Sequence, residues 1–216
     1  MTALPMFRFT QLFTAAAALL LTLAAAPAWP ADMEPEALVR SVSEEVLGIL
    51  EQNADKPGSS AVQDAIRDKV LPHFDFTRMA ALASGLAWRS ATAEQKNELT
   101  DEFRTLLIRT YSSALDRFKG LSLEFDPQRK SEDQRKAIVR SRITQPGSEP
   151  VTVDYRMAIT TSGWKVYDVS VDGVSLVTTY RDAFAEESRR SGVAGLIRML
   201  KDKNSTLAAT VNGKSA

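Results

Sequence analysis

The stretch "VTVDYRMAITTSGWKVYDVSVDG", residues 151–173, decides the fold. In its first half Val151, Val153, Tyr155, Met157 and Ile159 share one face of a strand, and Thr152, Asp154, Arg156 and Thr160 take the other. "TSG", residues 161–163, suits a three-residue hairpin loop with Gly163 in the left-handed region. That register sets Met157 opposite Tyr167, Tyr155 opposite Val169 and Val153 opposite Val171. It sends Asp154, Asp168, Ser170 and Asp172 to the reverse face. A two-residue loop would carry Asp168 onto the apolar face, which burial disfavours.

Upstream of this hairpin, "LSLEF" and "KAIVRSRIT" also alternate with period 2, so four strands follow one another as an antiparallel meander. Before Gly120 the period is 3.6. Val39, Val42, Val46 and Ile49/Leu50 mark one helix from Glu34 to Gln52, and Val62, Ile66 and Val70 mark a second from Ser60 to Leu71. Asp75 is placed to cap a third helix carrying Met79, Leu82 and Leu86. Thr92 and Gln95 form a capping box for a fourth, with Leu99, Phe103, Leu106, Leu107, Tyr111, Ala114, Leu115 and Phe118 on one face until "KG" at 119–120. A closing helix is expected from near Val177 and another from Val193 to Leu200, with residues 205–216 as an unstructured tail. Helices, then a meander, then helices predict an α+β fold, with N-terminal and C-terminal helices packed on a four-stranded antiparallel sheet.

The first 28 residues read as a secretory signal peptide. Arg8 gives the basic start, "LFTAAAALLLTLAAA" the uncharged core, and "APA" at 26–28 the cleavage site. The apolar run is only about 15 residues, short of the ~20 that span a bilayer. The binding domain is expected over 29–204. Of the 216 residues, 44% are hydrophobic and 25% charged. Without residues 1–28 the charge is near zero, which excludes a nucleic-acid binder of the basic type. No cysteine is present, so disulfides, thiolate chemistry and lipoprotein acylation are excluded.

Candidate catalytic groups are sparse. His73 is the sole histidine, and no G-x-S-x-G surrounds any serine, so a Ser-His-Asp triad has little to build on. A zinc site would need carboxylates alone beside His73. Asp168 with Tyr167 and Tyr155 could make an acid–base site on a cone-shaped sheet, but the register points Asp168 away from the apolar face, toward a partner such as Arg156. "RKSEDQRKAIVRSR" gathers Arg129, Lys130, Arg135, Lys136, Arg140 and Arg142, partly offset by Glu132 and Asp133. It fits a solvated hairpin, or a surface for lipid phosphates or an acidic partner. Phosphate-binding glycine loops are absent. The two long apolar faces, on the fourth helix and on the sheet, suit either a filled core or a cavity.

Several motifs occur in order: "FDF" at 74–76, G-x-x-W-R at 85–89, Gln95, F-x-x-L-L-x-x-T-Y at 103–111, "VDY" at 153–155, "WKVYDV" at 164–169, "GVSLV" at 173–177, Y-R-x-x-F at 180–184 and "GLIRMLKDKN" at 195–204. Together they resemble the MlaC family of periplasmic phospholipid-binding, toluene-tolerance proteins. The resemblance covers nearly the whole chain after the signal segment. It implies a monomeric, non-enzymatic periplasmic shuttle whose cargo is a diacyl glycerophospholipid and which has no cofactor. Its implied partners are an outer-membrane MlaA-type lipoprotein–porin complex and an inner-membrane ABC transporter with an MCE-domain ring. The acyl tails would then lie among Leu82, Leu86, Phe103, Leu107 and Tyr111 of the helices, and Val153, Tyr155, Met157, Val169, Val171, Val174 and Leu176 of the sheet. A lipoprotein chaperone and an exported acid–base enzyme are the competing readings.

Overall fold

The structure is a computed structural model that describes residues 33–53, 55, 59–111, 121–127, 133–145 and 147–213. Residues 1–32, where a signal peptide is expected over 1–28, positions 112–120 with Ala114, Leu115 and Phe118, and the basic residues Arg129 and Lys130 lie outside the described residues.

The helices are α1 (Pro35–Gln52), α2 (Ser60–Val70), α3 (Phe76–Ser84), α4 (Leu86–Ser90), α5 (Ala93–Tyr111) and α6 (Arg181–Gly213). The strands are β1 (Ser122–Phe125), β2 (Lys136–Thr144), β3 (Val151–Thr160), β4 (Gly163–Val171) and β5 (Val174–Ser175), antiparallel throughout in the order β1-β2-β3-β4-β5. The expected α+β arrangement is present, with five strands rather than four. Asp172 (φ 48°) and Gly173 (φ 82°) make a two-residue turn, and this folds Val174–Ser175 back beside Val171 and Ser170.

Local signals act as their chemistry requires. The Asp75 carboxylate accepts from the Arg78 N–H at 2.9 Å and starts α3. Thr92 and Gln95 exchange both bonds of a capping box, at 3.0 and 3.2 Å, and start α5. Gly85 (φ 55°) ends α3, so Leu86 falls in a separate short helix rather than on the third helix's apolar face.

Two expectations need correction. The final helix is not confined to Val193–Leu200. α6 runs from Arg181, preceded by a 3₁₀ turn at Thr178–Tyr180, breaks at Gly192 (φ 67°, ψ −174°), and continues to Gly213. The supposed tail is helical from 205 to Gly213, and the residue just before it is anchored: buried Asn204 donates to the Glu102 carbonyl at 3.0 Å and to its carboxylate at 2.7 Å, while Arg109 donates to the Asn204 carbonyl. The hairpin register is also mixed. Val153 faces Val171 and Tyr155 faces Val169, as expected, but Met157 faces Val166 instead of Tyr167. Gly163 has the expected left-handed backbone (φ 91°), yet it pairs with Thr160, which leaves a two-residue loop. A β-bulge then absorbs Tyr167 and restores the register that keeps Asp168 off the apolar face. The Arg78 guanidinium stacks on the displaced Tyr167 ring at 3.9 Å and ties α3 to the bulge.

Apolar side chains collect in three places. α3, α4, α5 and α6 enclose one cluster around Phe103, Leu106, Phe184 and Leu200. α1 lies over one face of the sheet and shares a second with Val139, Val153, Met157 and Val166. The C-terminal half of α1 and α2 share a small third. The helical half meets the sheet at β4, where Phe74 bridges Val166 and the Asp75 N–H donates to the Val166 carbonyl at 2.8 Å.

Candidate functional site

Period-3.6 and period-2 faces meet between α1 and the sheet. Along α1, Leu38, Val39, Val42, Val46 and Leu50 point one way, and Ser43 and Leu47 flank them. From Leu38 to Leu50 this wall is about 18 Å long at 1.5 Å per residue. The opposite wall comes from Leu121, Ser122 and Leu123 at β1, Ile143 of β2, Tyr155 and Met157 of β3, and Val166 of β4. Val70, His73 and Phe74 close one end. Between these walls lies a cavity of about 190 Å³. That is smaller than the ~300–1,000 Å³ typical of ligand pockets, so a large ligand would need α1 and the sheet to move apart.

The lining is hydrocarbon apart from His73, two serines and Tyr155. Burial raises the pKa of the Tyr155 phenol, with Ser141 pulling weakly the other way, so the phenol is neutral at physiological pH. Burial, and then the positive charge of Lys165, lower the pKa of His73 below the usual 6.5, against a smaller upward pull from Glu45. No cluster of metal-ligating side chains occurs among the described residues.

The reverse face of the sheet is charged and solvated. Arg140 grips Asp154 through two bonds of 2.6 and 2.8 Å, and these bonds hold the Asp154 carboxyl below its usual pKa. Arg142 reaches Asp126 at 3.3 Å and Lys136 reaches Asp133 at 3.1 Å, so these cations of the basic hairpin are paired. Asp168 also lies on this face but is buried. Ser175 donates to both its oxygens at 2.8 Å, the Val177 N–H donates at 3.4 Å, and Arg156 stands 4.0 Å away. Its work is to fasten the β5 turn to β4.

Of the residues expected to line a cavity, the structure brings Tyr155 and Met157 into the lining. Val153 and Val169 are buried in the same sheet cluster beside it, and Leu176 packs on that cluster. Val171 and Val174 project outward at the β4–β5 hairpin, the latter 61% exposed. Leu82, Phe103, Leu107 and Tyr111 belong to the close-packed helical half, and Leu86 is 79% exposed. The α1 wall and His73 were missing from that set. The α1 stripe was visible in the sequence, but nothing in its spacing showed which face of which sheet it would cover.

A helix held over a sheet face, with hydrocarbon walls and space left between them, defines a protein that binds an apolar ligand. The MlaC protein family matches residues 40–202, and the chain belongs to that family. It is 29% identical over 178 residues to the toluene tolerance protein Ttg2D of Pseudomonas putida, covering 81% of this chain and 82% of that one. It is 22% identical over 180 residues to the intermembrane phospholipid transport system binding protein MlaC of Haemophilus influenzae, covering 81% and 84%. The fold superimposes with a TM-score of 0.74 on a phospholipid-binding protein from Ralstonia solanacearum solved in complex with a phospholipid. The two share 36% sequence identity, and the match covers 82% of this chain and 99% of that one.

Proposed function

We propose that the protein is a periplasmic phospholipid carrier that holds the acyl chains of a diacyl glycerophospholipid between α1 and the sheet. The observation that carries this reading is the apolar space under α1, in a fold shared with a protein solved with phospholipid bound. Two acyl chains of roughly 30 methylenes lose on the order of 24 kcal/mol in water, at ~0.8 kcal/mol each. A carrier must offset nearly all of this with hydrocarbon contact, and the apolar lining under α1 is where that contact would be made. The cargo is exchanged between an outer-membrane MlaA-type lipoprotein–porin complex and an inner-membrane MCE-domain ABC transporter, and the carrier travels as a monomer. Residues 1–28 direct export and are removed. We read it as a binding protein without a cofactor of its own: among the described residues the one buried carboxylate, Asp168, is committed to Ser175 and Val177.

The lipid-lining set for this function is centred on Tyr155 and Met157 of the sheet and on Val42 and Val46 of α1. Val153 and Val169 back them. Protein purified from its native host, extracted into organic solvent and analysed by mass spectrometry should yield diacyl phospholipid in near-stoichiometric amount. Lipid-free protein that also takes up no phospholipid from vesicles would overturn the reading.

A further inference from the structure

The cavity as it stands, about 190 Å³, is too small for two acyl chains of roughly 30 methylenes, so one wall has to move. The walls differ in how they are fastened. The sheet wall is tied by its ladders, and β4 is joined to the helical half at Phe74 and Asp75. The α1 wall belongs to a helical pair. α1 and α2 share a small core of Leu50, Val62 and Ile66, separate from the clusters of the sheet and of the helical half. Lys69 of α2 also reaches Glu45 of α1 at 2.9 Å. The chain leaves α2 through the 3₁₀ turn Leu71–His73. That turn is pinned: Lys165 of β4 donates to the Pro72 carbonyl, and the Asp75 N–H just beyond it donates to the Val166 carbonyl at 2.8 Å. Nearer the start of α1 a polar contact crosses to the sheet. The Arg40 guanidinium lies over the Phe125 ring of β1 at 4.3 Å, while also pairing with Glu36 of its own helix at 2.7 Å.

We infer that the α1–α2 pair is a flap that swings about the Leu71–His73 turn to admit cargo, and that Arg40 on Phe125 is its latch. Opening breaks the apolar contact of Leu38 and Val39 with the sheet, and acyl chains restore contact of the same kind once they lie between the walls. The Arg40–Phe125 contact exists only while α1 and β1 are together, so it favours the closed state alone. The pinned turn keeps the base of the flap in place, and the private core of α1 and α2 lets the two helices move as one body. This inference rests on the phospholipid-carrier reading and adds to it how the cavity opens.

The chain has no cysteine, so pairs of spin labels can be placed without interference. In protein lacking residues 1–28, labels on Glu44→Cys and Glu124→Cys measure α1 against β1, and labels on Glu44→Cys and Asp68→Cys measure α1 against α2. Loading with phosphatidylglycerol from vesicles should lengthen the first distance by several ångströms and leave the second unchanged. Release of a fluorescent phospholipid to acceptor vesicles reads the latch. Arg40→Gln and Phe125→Leu should each speed release by roughly two- to fivefold, the ~0.5–1 kcal/mol of an exposed cation–ring contact. Arg40→Lys, which keeps the cation, should stay close to the wild type. The double variant should be no faster than either single one, because both changes remove the same contact. Unchanged release in both single variants, or gains that multiply in the double, would overturn the latch. Loading at a fixed α1–β1 distance, or an equal change between α1 and α2, would overturn the flap and leave the carrier reading standing. If no phospholipid is taken up at all, the carrier reading falls, and the flap with it.

Discussion

The helical half and the sheet half use the same kinds of residue to opposite ends. In the helical half Leu99, Phe103 and Leu106 of α5 are sealed, and Phe103 meets Tyr180 and Phe184 edge-on, each at 5.5 Å between ring centres. Under α1, by contrast, Val42 and Val46 are only partly buried in a helix that crosses the same sheet cluster. The α5 stripe is met by large rings and leucines from α3 and α6. The α1 stripe of leucines and valines faces Ile143, Tyr155, Met157 and Val166 of the sheet without filling the space between them. Hydrophobicity makes both halves fold, and how closely the facing walls pack decides which one stays hollow.

The contrast can be broken most forcefully in the packed half. Phe103→Ala should cost about 3–5 kcal/mol, as for other large-to-small changes of a sealed aromatic. Thermal or urea unfolding would show this. Lipid uptake per folded molecule should persist, and a selective loss of uptake at unchanged stability would place Phe103 against the cargo instead. Asp168→Ala should cost about 1–3 kcal/mol, because the Val177 N–H and the Ser175 hydroxyl lose a buried acceptor. It too should leave uptake per folded molecule intact, which native mass spectrometry can read beside the melting curve.

In the hollow half the signature inverts. Val42→Trp fills empty space instead of crowding a packed core, so stability should change by less than ~1.5 kcal/mol. Phospholipid uptake should nevertheless fall by on the order of tenfold, equivalent to about 1.4 kcal/mol. A strongly destabilised variant would mean that the space under α1 closes in solution.

The smallest effect is a dependence on pH. The pKa of His73 is lower in the folded state than the ordinary 6.5, so the unfolded chain takes up its proton first. The stability His73 contributes is therefore full above pH 6.5 and is lost as the pH falls through its folded-state value. His73→Leu should flatten this part of the pH–stability curve in lipid-free protein, and an unchanged slope would show that another group sets it.

Much of this arrangement was legible in the sequence, because local chemistry writes it there. Thr92 with Gln95, Asp75 before α3, and the alternation of β3 are each set by neighbours within a few residues. The cavity is set by objects far apart in the chain. Valines at 42 and 46 look the same in a sequence whether a phenylalanine or a void lies opposite. The far end of α6 was hidden for a related reason. "NSTLAATVNG" carries a weak apolar stripe, and its anchor, Asn204 on Glu102, is a buried polar pair across 102 positions. The bulge at Tyr167 was not foreseen because strict alternation admits no extra residue.

That extra residue also divides the work of β4. Ahead of it, Val166 faces the cavity and sets part of its shape. Beyond it, Asp168 fastens the turn that leads into the helical half. The two ends of the strand run on separate phases, as two gear trains do across a clutch. Side chains on the cavity end can therefore drift in size as a lineage meets new cargo, while the fastening end keeps its own timing.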